Sequence, residues 1–311
     1  MANTRPFRFG VEMMEPFDGM TWADSARELE ALGYATLFAP DHFDEGYGPI
    51  TAMAVAAAAT TELHVATAVF AADFRHPAVL ARELASLDLV SEGRLEVGIG
   101  AGYQVKDYES SGIAMDRPGV RVSRMIEHVA VLKGLFGDGP FDFDGEHYKI
   151  AGLDGTPKPY RPGGPPIFVA GGGKRMLSFA ARHADIVGVN PSLPTSAAQP
   201  TAPDALPERI DEKLAWVREA AGARFDALEI HAWLRFAEVT EDARAAVAPL
   251  TATFGAEADA VLASPIVLVG TVEEIVERLH ERRERWGYSY FTVQQPVARA
   301  FAAVVARLAG G

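Results

Sequence analysis

The 311-residue chain contains no cysteine, which excludes disulfides and thiolate-bound metals. No apolar run approaches the roughly 20 residues that a membrane-crossing helix needs. The opening "MANTRPFRFGVEM" carries its first charges straight into a strand, without the layout of a secretory signal. Positive charge is scarce, with 29 Lys and Arg against 42 Asp and Glu and a net charge of −13. Nothing resembles the basic stripe that holds nucleic acid. His spacings typical of metal ligands are missing, as is the glycine-lysine loop of nucleoside triphosphatases, and the turn "VEMMEPFDGMTW" lacks a GxGxxG. These absences describe a cytoplasmic protein with neither a nucleic-acid nor a membrane partner. Net charge governs solubility and association rather than fold, so a local basic pocket remains open to an anionic ligand.

What is present is alternation. Apolar runs at Phe7–Val11, Ala35–Ala39, Leu63–Val69, Leu95–Ile99, Pro166–Ala170, Asp185–Val189, Leu228–Phe236 and Tyr288–Val293 read as strands. Between them "TWADSARELEALG", "HPAVLARELASLDLVSEG", "RVSRMIEHVAVLKGLFG" and "TVEEIVERLHERRERWG" place apolar residues at helical spacing. Gly33, Gly93, Gly137 and Gly287 follow these helices, as left-handed caps do. Eight strands alternating with helices predict an α/β fold, a (β/α)8 TIM barrel, over an open dinucleotide-binding sheet. One domain spans residues 1–311, with insertions at about 137–165 and 190–207. The first holds a hairpin, "FDFDGEHYKI", turning at Asp144-Gly145. The second, "NPSLPTSAAQPTAPDALPER", is either a linker or a lid.

In a barrel of this kind catalytic residues come from the C-terminal ends of several strands. That rule draws together Glu12, Met13, Asp41, His42, Val69, Gly98–Tyr103, Gly171–Gly173, Asn190, Gln294 and Gln295. His42 is a candidate proton carrier, because imidazole exchanges a proton near neutral pH. His64 and His183 read as structural. Gly98, Gly100 and Gly102 sit where a backbone turns tightly or approaches a flat ligand. In "IFVAGGGKRMLSFAARHAD" a strand, three glycines and a helix start put amide donors beside Lys174 and Arg175, a natural cradle for phosphate.

Three stretches, "APDHF", "RHPAVLARELASLDLVSEGRLEVGIGAGY" and "IFVAGGGKRMLSFAARHADIVGVN", resemble the bacterial luciferase-like flavin monooxygenase superfamily. They look most like its branch that uses coenzyme F420, an 8-hydroxy-5-deazaflavin. The resemblance implies a hydride-transferring oxidoreductase and a homodimer, with the cofactor ring at the barrel mouth. FMN with a separate reductase is the alternative, and a non-catalytic flavin-binding barrel a third. By position Asp41 would contact the ring or orient its neighbour, His42 would face the substrate, and a cis peptide would back the ring at Ala68–Val69. The backbone of Gly171, Gly172 and Gly173 would bind the cofactor phosphate. Lys106, Arg117 and Arg121 would meet the acidic tail of the deazaflavin coenzyme. Two positions depart from the branch: Ala101 stands where dehydrogenases carry a glutamate, and Gly46 where a tryptophan is common. Glucose 6-phosphate is thereby disfavoured as substrate, and Glu12 becomes a candidate for the missing carboxylate.

Overall fold

Among the described residues thirteen strands follow one another: β1 (Arg8–Glu12), β2 (Thr36–Ala39), β3 (His64–Thr67), β4 (Phe70–Ala71), β5 (Leu95–Gly100), β6 (Pro140–Asp144), β7 (Lys149–Asp154), β8 (Ile167–Gly171), β9 (Ile186–Val189), β10 (Glu229–Trp233), β11 (Phe236–Val239), β12 (Val267–Gly270) and β13 (Tyr288–Gln294). The computed structural model describes residues 5–192 and 202–309. In the order β3-β2-β1-β13-β10-β9-β8-β5 eight strands form a ring, and the parallel pairing of β5 with β3 closes it. The fold is the expected (β/α)8 barrel, and all eight predicted runs became its strands. No helix among the described residues is long and apolar enough to cross a membrane.

The chain forms two compact units, one of residues up to Glu12, Glu28–Thr36 and everything from Ala170, the other of Met13–Arg27 and Leu37–Val169. In the first, β1 lies in register along β13 from Arg8↔Tyr290 to Glu12↔Gln294. The Phe9 and Phe291 rings stack across that pair at 6.1 Å. A second core of Val247, Phe254, Val261, Ile266 and Val267 is buried there. It lies with a parallel pair, β11 and β12, that the sequence reading missed. The predicted run Leu228–Phe236 divides at this point. Leu234 N–H still bonds to Thr292 in the ring, whereas Phe236 N–H bonds to Ile266 beside β12. The helix Val272–Trp286 opens on a capping box of Thr271 and Glu274 and ends at Gly287 with φ +78°, satisfying its terminal amides and carbonyls.

In the second unit β5 buries all six residues, as a strand covered on both faces must. The predicted hairpin is present, with Asp144 opposite Lys149 between β6 and β7. It is docked by one side chain: Glu127 accepts the backbone N–H groups of Glu146, His147 and Tyr148 at 2.8–3.1 Å. The helix Pro118–Phe136 departs from expectation at its end. Gly137 has φ −73° and ψ 171°, so the chain leaves the helix extended, and the left-handed turn comes at Gly139 with φ +77°.

Candidate functional site

The strand β2 ends in Ala39, and Asp41 and His42 follow, held in quite different ways. Asp41 is buried and grips Arg75 through both oxygens, at 2.6 and 2.8 Å, while also accepting the Ala71 N–H at 3.1 Å. A two-pronged guanidinium–carboxylate pair of this kind fixes geometry strongly. Asp41 therefore ties the exit of β2 to β4 and to Arg75.

His42 faces a carboxylate that the sequence reading did not single out. Its Nδ1 lies 2.7 Å from Oδ2 of Asp107, and the other oxygen accepts the Phe43 N–H at 3.1 Å. Asp107 is almost wholly buried, and the His42 side chain is only 14% exposed. The Tyr103 ring stands at right angles to the imidazole with centroids 5.8 Å apart. Asp107 belongs to the seven-residue helix Val105–Ser111, where an acid in the first turn reads as ordinary helix-dipole chemistry. That reading hid its partner 65 residues away.

The glycines in β5 and just beyond it are explained mainly from within. A Cβ on Gly98 would lie 1.9 Å from the Thr67 carbonyl oxygen, and one on Gly100 2.6 Å from a Val69 methyl. Gly102 has φ +71° and leaves room for the Tyr108 hydroxyl. Tyr108 donates to Asp73 at 2.9 Å, and burial and that carboxylate together push its hydroxyl pKa up. Asp73 also accepts from Arg124 at 2.6 Å. The Ala68–Val69 peptide is cis, at the position the resemblance implied.

Two of the cations expected to meet an acidic tail are engaged elsewhere. Lys106 is paired with Asp44. Arg121 is buried with its guanidinium carbon 5.8 Å from the centre of the Tyr108 ring. Lys106 remains largely exposed, and the burial of Arg121 is what departs from the expectation. In the pattern alone they are simply basic residues near a glycine turn.

In the other unit, Gly171 ends β8 and its carbonyl accepts the Asn190 N–H at 3.0 Å. A Cβ on Gly171 would press on Met176, and one on Gly172 would lie 2.4 Å from the Ser192 nitrogen, while Gly173 has nothing within 4 Å. Gly173 is the N-cap of the ten-residue helix Lys174–His183, without a side-chain cap. The open position and uncapped amides fit a phosphate, with the donors that helix starts offer to anions. Lys174 is exposed and faces Glu219 at 3.8 Å. The segment Asn190–Ser192 is fastened by Lys213, whose buried ammonium donates to the Asn190 carbonyl at 2.8 Å and to Asp204 at 2.5 Å; Asp204 in turn accepts the Ser192 N–H. Glu12 ends β1 and its Oε2 accepts the Trp233 indole N–H at 3.1 Å. Of the expected lid, residues 193–201 lie outside the described residues. Among the described residues no group of three or more His, Asp and Glu is placed to hold a metal ion.

Three comparisons bear on this arrangement. The sequence model of a family described as luciferase-like monooxygenase matches residues 15–212. An F420-dependent glucose-6-phosphate dehydrogenase of Amycolatopsis mediterranei is 26% identical over 184 residues, 58% of this chain and 55% of that enzyme. The chain thus spans about half the length of that relative. Among solved structures, the coenzyme F420-dependent tetrahydromethanopterin reductase of Methanopyrus kandleri superposes with a TM-score of 0.78 at 17% identity, covering 98% of this chain and 99% of that one. The oxygenating constituent of 3,6-diketocamphane monooxygenase from Pseudomonas putida, in complex with FMN, gives 0.73 at 16% identity, with 98% of each chain covered. At such identities the structures show a shared fold.

Proposed function

The chain belongs to the luciferase-like monooxygenase family, and from that premise we propose that it is a coenzyme F420-dependent oxidoreductase acting on a small organic molecule. The observation that carries the reading is His42 at the end of a ring strand with a buried carboxylate 2.7 Å from its Nδ1. When bound, the deazaflavin supplies hydride transfer, and the protein supplies position and a path for the proton. The open helix start at Gly173 would hold the phosphate through its amides. His42 takes the proton from a substrate hydroxyl, or returns it, at the nitrogen not facing Asp107. Arg75 and Lys106 are already paired with Asp41 and Asp44, which favours a substrate without phosphate and agrees with Ala101 in place of the dehydrogenase glutamate. The reading includes a homodimer, with no nucleic-acid or membrane partner.

An FMN-dependent monooxygenase is the second reading, favoured by the family itself and by the likeness to the FMN-bound oxygenating constituent. Titrating the purified protein with coenzyme F420 and with FMN, followed by absorbance and fluorescence, separates the two. Tighter binding of FMN overturns the first reading and installs the second. Within the first reading, His42→Ala lowers turnover by about 10²–10⁴-fold, the usual contribution of positioned proton transfer. Cofactor affinity changes much less. Steady-state rates with the best of a panel of alcohols and enones, set beside a cofactor titration, check both limbs, and full activity in the variant removes His42 from the chemistry.

A further inference from the structure

The two oxygens of Asp107 are not equivalent. Oδ1 accepts the Phe43 N–H at 3.1 Å, and Oδ2 faces His42 Nδ1 at 2.7 Å. A backbone amide can only donate and an ionised carboxylate can only accept. The contact at Oδ2 is satisfied when the ring proton sits on Nδ1. We infer that Asp107 is the positioning residue of this site: it holds His42 with its proton on Nδ1 and so leaves Nε2 as the nitrogen that exchanges a proton with substrate. This rests on the reading of His42 as the proton carrier.

The same geometry resolves where the carboxylate missing at Ala101 has gone. Glu12, the candidate from sequence, takes its hydrogen bond from Trp233, whereas Asp107 touches the imidazole itself. Asp107 comes six positions after Ala101, on the helix that follows the glycine turn. Two further charges act on the pair at longer range, Asp44 on His42 and Lys106 on Asp107. Asp41 is committed to Arg75, and Asp44 to Lys106. The Tyr103 ring, perpendicular to the imidazole, packs against the ring that Asp107 orients.

Because the Phe43 N–H selects an acceptor, Asp107→Asn has a defined outcome. The amide carbonyl must stay on the Phe43 side, which turns the NH2 toward His42. Nδ1 then becomes the acceptor, the ring proton moves to Nε2, and Nε2 can no longer take a proton from substrate. A near-isosteric change thus reverses the tautomer without emptying the site, the logic by which an Asp-to-Asn change disables the histidine of a protease triad.

Nitrogen-15 NMR of histidine-labelled protein, followed over a pH series to its alkaline limit, reads the tautomer without cofactor or substrate. The wild type should carry its proton on Nδ1 of His42, Asp107→Asn on Nε2, and Asp107→Glu should restore the native pattern at least in part. Turnover of Asp107→Asn should fall by about 10²–10⁴-fold with KM changed little. A wild-type ring protonated on Nε2 overturns the inference with no variant needed, and so does an unchanged tautomer in a folded Asp107→Asn protein. A tautomer that switches as described in a protein that binds neither cofactor supports the positioning role while defeating the oxidoreductase reading, so the two fail separately.

Discussion

A Cβ on Gly172 would press on the Ser192 backbone, while the neighbouring Gly173 faces open space, and this contrast decides how the phosphate cradle is tested. Sequence gave the three glycines one role, the backbone amides of a cradle. Packing separates them: Gly172 is small because backbone passes behind it, and only Gly173 leaves the helix start open. Gly173→Asp should therefore fold, since Asp is a favoured N-cap. Its carboxylate should occupy the amides that a phosphate needs, lowering cofactor affinity by tenfold or more, about 1.4 kcal/mol. Gly172→Ala should chiefly lower the melting temperature. Fluorescence titration and thermal melting of both variants check the split, and unchanged cofactor binding in Gly173→Asp removes the cradle. At this scale the sequence singled out residues by their place at a strand end, such as Asp41 and His42. It concealed partnerships made by distant segments, such as Arg75 with Asp41 and Asp107 with His42, because no local pattern records which side chains a fold brings together.

Strands and helices were legible where a single period ran long enough. All eight ring strands were marked by short apolar runs between helical stretches, and the hairpin by its alternation around Asp-Gly. The pair β11–β12 was not. Each has four residues, and β11 continues the apolar run of β10, so only a change of hydrogen-bond partner at Phe236 reveals the break. The junction of the hairpin with the helix Pro118–Phe136 has a consequence for stability. His128 on that helix is fully buried, with the Tyr148 hydroxyl 3.4 Å from its Nδ1 and His76 and Arg75 among the charges acting on it. Burial, opposed by a hydrogen bond with the Ala72 backbone and aided by His76 and Arg75, lowers its pKa to about 4. An unfolded histidine titrates near 6.5, so between those values the unfolded chain binds a proton that the folded one declines. The contribution of His128 is therefore full above pH about 6.5 and lost as pH falls toward 4, on the order of 2–4 kcal/mol in all. Urea denaturation at pH 7 and pH 5 should show a shallower loss for His128→Leu than for the wild type. Equal slopes would place the acid sensitivity elsewhere.

Taken whole, the molecule is an anion with a net charge of −13, and that sets how it meets an anionic cofactor. Sequence suggested that Lys106, Arg117 and Arg121 would gather an acidic tail, so that salt would weaken binding. With Lys106 paired and Arg121 buried, the net negative charge is expected to repel an anionic cofactor at long range. Raising ionic strength from about 10 to 150 mM shortens the screening length from about 30 to 8 Å. The association rate of a tail-bearing deazaflavin, read by stopped-flow fluorescence, should rise or hold steady over that range, and a steep fall would reveal a basic patch that steers it. The ring of strands carries a different consequence, one of timing. In the sheet β1 lies between β2 and β13, and Phe7 forms a further bridge with Ala309. During synthesis one edge of β1 therefore waits for almost the whole chain to be made, and a waiting edge is a template for pairing with a stranger. That strand begins with Arg8 and ends with Glu12, opposite charges at the two ends of an edge. Two ionic side chains thus guard the seam of a newborn barrel until its last strand arrives to close it.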